Sequence, residues 1–121
     1  MIQLNHTIVH ARDKHASARF LATILGLPVG QESGPFVPIT LGNGVTLDYM
    51  TDDQPQPQHY AFLVDDAVFD DAFARIQDQG LAYYAEPGGR QPGDINHRLG
   101  GRGVYFNDPN QHSMELLTRT S

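Results

Sequence analysis

His59-Tyr60-Ala61-Phe62-Leu63-Val64, followed at once by Asp65-Asp66 and an amphipathic run to Gln79, decides the fold of this chain. It is a strand entering a helix, and the same order has already been used once. Residues 2–10 alternate well enough for a strand, with Ile2, Leu4, His6 and Ile8 on one face. Asp13 can cap a helix that runs to about Leu25, with Ala16, Phe20, Leu21, Ile24 and Leu25 at helical spacing. The two helices close alike, in Leu25-Gly26-Leu27-Pro28 and Gln79-Gly80-Leu81-Ala82.

Working outward, strands are expected near 28–32, 36–41 and 45–50 in the first half. The turns Gly34-Pro35 and Gly42-Asn43-Gly44 separate them. In the second half they are expected at 81–85, 102–107 and 113–118, the last two joined by the turn Asn107-Asp108-Pro109-Asn110. Residues 54–58, polar and proline-containing, read as a linker. The expectation is therefore a single α+β domain over residues 1–121. It would hold two βαβββ modules, about 1–53 and 59–121, forming a cup-shaped, partly closed mixed sheet with helices outside. The segment 86–101 carries five glycines and two prolines and reads as a long loop, expected to act as a lid.

Composition narrows the function. A chain of 121 residues holds one core. A net charge of −6 with a single lysine, Lys14, disfavours nucleic acid. No run is long enough to span a membrane, and no signal peptide is evident, so a cytoplasmic location is expected. The absence of cysteine removes disulfides and thiolate sites, leaving His, Asp, Glu and water for any metal.

Three ionisable side chains interrupt apolar strands: His6, His59 and Glu115. Such groups are costly in a core unless compensated, and two His with one carboxylate form a recognised non-haem iron set. His6 and His59 open the two modules. Glu115 lies on the last strand of the second, and Asp48 is its counterpart in the first. Arg102 is the best placed of the loop arginines to meet an anionic or polar ligand. Tyr60 and Tyr105 read first as packing groups, and His97 lies where it can line the mouth of the cup.

The chain resembles the vicinal-oxygen-chelate superfamily, which includes glyoxalase I, bleomycin-resistance proteins, fosfomycin-resistance enzymes and extradiol dioxygenases. The resemblance spans the whole chain. It rests on Leu4-Asn5-His6, Ile24-Leu25-Gly26-Leu27, the His59–Val64 segment, and Phe106-Asn107-Asp108-Pro109-Asn110-Gln111-His112 leading into Met114-Glu115-Leu116. It implies a divalent metal (Fe, Mn, Ni, Zn or Co) held by His6, His59 and Glu115. Asp48 stands where glyoxalase I carries a glutamate. It also implies a small-molecule substrate with vicinal oxygens, Glu115 or Asp48 as a base, Arg102, Tyr105, Tyr60 and His97 as substrate contacts, and a homodimer. The alternative it implies is a metal-free protein that sequesters an antibiotic, of the bleomycin-resistance type.

Overall fold

The computed structural model describes residues 1–120. The chain divides into two compact units, Met1–Gln56 and a second that begins at Pro57. In the first, strand β1 (His6–Ala11) leads into helix α1 (Lys14–Leu25), followed by β2 (Phe36–Thr40) and β3 (Thr46–Thr51). The sheet order is β1-β3-β2, with β1 parallel and β2 antiparallel to β3. Asp13 starts α1 by accepting a hydrogen bond from the Ala16 amide at 3.1 Å, a cap typically worth about 1 kcal/mol. Gly26 ends it at φ 72°, a left-handed turn that glycine adopts without strain. The core of this unit joins Ala18, Leu21, Ala22 and Ile24 of α1 with Val9, Val37, Ile39, Leu47 and Tyr49 of the sheet.

The expected strand at 28–32 does not form. Pro38 sits on β2, the sheet's edge, and has no N–H to offer a further strand. Only one bond crosses there, from the Gly30 amide to the Pro38 carbonyl at 2.8 Å. The first unit therefore holds three strands rather than four.

The second unit contains β4 (His59–Leu63), α2 (Asp66–Asp78), β5 (Tyr84–Glu86), β6 (Arg90–Pro92), β7 (Gly103–Asn107) and β8 (Ser113–Leu117). Their order is β4-β8-β7-β5-β6, with β4 parallel to β8. Asp65 caps α2 through the Val68 amide at 2.8 Å. Phe69, Ala72 and Ile76 of α2, with Phe62, Val104, Phe106, Met114 and Leu116 of the sheet, form the second core.

This unit has one strand more than expected, because the segment read as a loop is largely folded. Residues 90–92 pair with β5, Asn96 bridges to Gly103, and the Asn96 side-chain amide donates to the Ala85 carbonyl at 2.9 Å. Its glycines and prolines punctuate short hydrogen-bonded pieces rather than free chain. The α+β architecture, with two helices and two mixed sheets, stands as read. Neither sheet closes on itself.

The Asp108–His112 turn is the most heavily bonded feature of the second unit. Asp108 Oδ1 accepts from the amides of Asn110 and His112 at 2.8 and 2.9 Å, and Oδ2 accepts from the Asn110 side chain at 3.1 Å. His112, fully buried, accepts from the Gln58 amide through Nδ1 at 2.9 Å. The turn thereby fixes the start of β4 beside that of β8, where the site lies.

Candidate metal and substrate site

Both units place their chemistry on the face of the sheet turned away from its helix. In β1 the buried side chains are Val9 and Ala11, so His6 and Ile8 face outward. In β4 the buried one is Phe62, so His59, Ala61 and Leu63 face outward. The apolar companions of the two histidines, Leu4 at 67% and Leu63 at 63% exposure, thus lie outside these cores. Alternation alone does not say which face a helix will cover.

The registers of the two parallel pairs match. Ile8 lies opposite Asp48 just as Ala61 lies opposite Glu115, with His6 and His59 each two residues earlier. His6 and Asp48 of the first unit therefore correspond to His59 and Glu115 of the second. The side chains do different things. His6 Nδ1 is 2.7 Å from Asn5 Oδ1, whereas His59 Nε2 is 3.1 Å from Glu115 Oε1. The longer glutamate spans the two-residue offset.

The His59–Glu115 pair is chemically specific. His59 Nδ1 lies 3.0 Å from the backbone carbonyl of Ser113. A carbonyl only accepts, so Nδ1 carries a proton and Nε2 is the nitrogen left to face the carboxylate oxygen. Two acceptors at this distance require a cation between them, either a proton or a metal ion. The same backbone carbonyl contact is the usual outer support of a metal-binding histidine. The donor set thus fits a divalent metal. Among the described residues no group of three or more His, Asp or Glu side chains that could hold a metal occurs; the second unit brings two such side chains together, His59 and Glu115.

Tyr105 borders this pair. It lies opposite Glu115 in the β7–β8 register, and its ring stacks on that of His59 with centroids 6.0 Å apart. Burial, then the charge of Glu115, push its phenol above the usual range, so the hydroxyl keeps its proton at neutral pH. Arg98 holds that oxygen, donating from Nη1 at 3.2 Å, and pairs with Glu86 through Nη2. The sequence offers Arg98 only as one of the loop arginines that could meet a polar ligand, and gives no signal for Glu86 beyond its place at the start of that segment.

The other sequence candidates are placed as follows. Arg102 points to the helix side. Its guanidinium binds Asp70 at 2.6 Å and Asp66 at 3.1 Å and lies 4.5 Å from the centroid of the Phe69 ring. Tyr60 alternates to the face opposite His59 and packs edge-on against His112. Burial, then Asp108, raise its phenol above the usual range. His97 is exposed and precedes the turn at residues 98–100.

No protein-family model and no curated protein matches the chain. Solved structures do. Oxidase ChaP-H2 is 58% identical over 98% of this chain and 94% of its own, with a TM-score of 0.96. Oxidase ChaP-H1 is 55% identical over 99% and 98%, also with a TM-score of 0.96. The fosfomycin resistance protein FosX from Mesorhizobium loti is 27% identical over 99% and 95%, with a TM-score of 0.74.

Proposed function

The chain belongs to the vicinal-oxygen-chelate superfamily, and on that footing we propose that it is a metal-dependent enzyme of the oxidase or dioxygenase kind, acting on a small molecule with two neighbouring oxygens. The observation that carries this is His59 Nε2 held 3.1 Å from the Glu115 carboxylate, with Nδ1 tied to the Ser113 carbonyl. His59, Glu115 and His6 would hold the ion, as the two-histidine, one-carboxylate set requires. The ion would supply Lewis acidity toward the substrate oxygens, and Fe(II) would add dioxygen chemistry. Relatives that are oxidases, at more than half identity, favour this over lyase or isomerase chemistry.

The chain's own residues have distinct parts in this reading. Glu115 and His59 would offer Oε1 and Nε2 to the ion, with the ring oriented by Nδ1 on the Ser113 carbonyl. Tyr105, protonated and fixed by Arg98, presents an O–H beside Glu115 to a substrate oxygen that gains charge. Asp48, on the matching register position of the first unit, is the candidate base.

His6 would join this pair in a homodimer, one chain giving His6 and Asp48 and the other His59 and Glu115. Two features support this. β1 and β4 are edge strands of their sheets, and each carries exposed apolar side chains on or beside it: Leu4 and Ile8, and Leu63.

Elemental analysis of tag-free protein tests the reading, with oxygen uptake measured on adding a vicinal-diol aromatic. Bound metal with diol-dependent oxygen uptake is expected. A protein that binds no ion yet takes up an aromatic ligand unchanged would instead be the sequestering kind.

A further inference from the structure

We propose that the second unit carries, adjoining the His59–Glu115 pair, a recognition pocket for an apolar ring bearing a carboxylate. A cavity of about 190 Å³ opens on the sheet beside Glu115, lined by Arg98, Leu99, Arg102, Leu117 and Arg119 among others. It is smaller than the roughly 300–1,000 Å³ of sites for drug-sized ligands, so it takes one ring and one charged group, not a whole polycyclic molecule.

Charge decides the sign of the ligand. Arg102 is neutralised by Asp66 and Asp70. Arg98 is paired with Glu86 and Tyr105 but keeps further N–H donors. Arg119 makes no ion pair with a described residue, and its stem lies against Gly101. A Cβ there would be 2.8 Å from Arg119 Cγ and 2.6 Å from Thr118 Oγ1. The glycine thus makes room for the arginine. An anion would meet Arg119 and Arg98, which offset the Glu115 carboxylate that also lines the cavity, with its ring against Leu99 and Leu117.

Leu99 is the second, independent observation. Its backbone is left-handed, at φ 58° and ψ 22°, and Gly100 follows at φ 77°. Local geometry favours glycine or asparagine at such a position, not leucine. Its side chain is nonetheless 58% exposed, so burial in a core does not account for it. A ring seated in the pocket would cover it. That the bound acid belongs to the substrate handled at Glu115 rests on the proposed function; the binding itself does not.

The test is an amide chemical-shift titration of the full chain, treated with EDTA so that metal plays no part. Benzoate is the probe, and benzamide is its uncharged counterpart. Benzoate is expected to shift amides at 96–102 and 117–119 and to bind about tenfold or more tightly than benzamide. Its affinity should fall with salt. Arg119→Met should bring benzoate down to the benzamide level. Leu99→Gly should weaken binding while leaving the melting temperature unchanged or higher, since it relieves the left-handed leucine. Equal binding of the two probes, or unchanged benzoate binding in both variants, would overturn the proposal. So would inorganic phosphate binding as tightly as benzoate, because the ring would then contribute nothing. Absence of bound metal in untreated protein would count against the proposed function alone.

Discussion

His59 has one ring nitrogen committed to a backbone carbonyl and the other aimed at Glu115, so its state is set by what lies between them. His59→Ala should abolish metal retention and leave the fold intact, because the side chain is about half exposed. Glu115→Gln is the sharper variant. Its amide can turn an N–H toward the Nε2 lone pair, so stability should stay within about 0.5 kcal/mol of the parent. Metal affinity should nonetheless fall by tenfold or more, since a charged ligand is lost. Calorimetric unfolding beside elemental analysis separates the two effects. The tyrosines give a pH prediction. Tyr60 and Tyr105 have phenols raised chiefly by burial, with Asp108 and Glu115 respectively adding to it. The folded chain therefore holds these protons more tightly than the unfolded one. The associated stability is present below the ordinary tyrosine value of about 10 and is lost as pH rises through the folded values. Tyrosinate absorbance should show both ionising later than free tyrosine.

At the scale of elements, the Asp108–His112 turn sets the register that brings β4 beside β8. Asp108→Ala strips the acceptor from two amides and a side-chain N–H in a turn whose Asp108 is 3% exposed. The expected loss is about 2–3 kcal/mol in denaturant unfolding, with weakened metal binding because His59 follows Gln58 directly. Hydrogen exchange makes a second check. Amides bonded across β5 and β6 should be protected without any ligand, whereas a free loop would exchange fully. The helices were legible from the Asp13 cap, the apolar spacing and the two closing glycines, since these are local chemistry; the Asp65 cap appears only in the structure. The Asp-Pro-Asn turn was legible for the same reason. The absence of a strand at 28–32 and the presence of one at 90–92 were not. The first depends on Pro38, a residue on another strand. The second depends on pairing with β5 within a segment whose composition reads as loop. The outward facing of His6 and His59 was equally hidden, because alternation marks two faces without saying which one a helix covers.

At the scale of the whole molecule, each of the two units repeats one register, histidine two residues before the position opposite a carboxylate. The correspondence was visible in the sequence only as an order of elements. The divergence between His6–Asn5 and His59–Glu115 needed side-chain geometry. If the site is completed by a second chain, light scattering at micromolar concentration should give twice the mass of 13.4 kDa. Leu63→Lys, on the exposed edge strand β4, should shift the protein toward monomer and weaken metal binding in parallel. A stable monomer that keeps its metal would contradict the shared site. The most direct test of the central claim is metal titration by calorimetry at neutral pH in two buffers of different ionisation heat. Tag-free protein should bind one divalent ion per chain with the same affinity in both buffers, and Glu115→Gln should bind it at least tenfold more weakly. Equal binding by the parent and Glu115→Gln, or no binding by the parent at all, would contradict it.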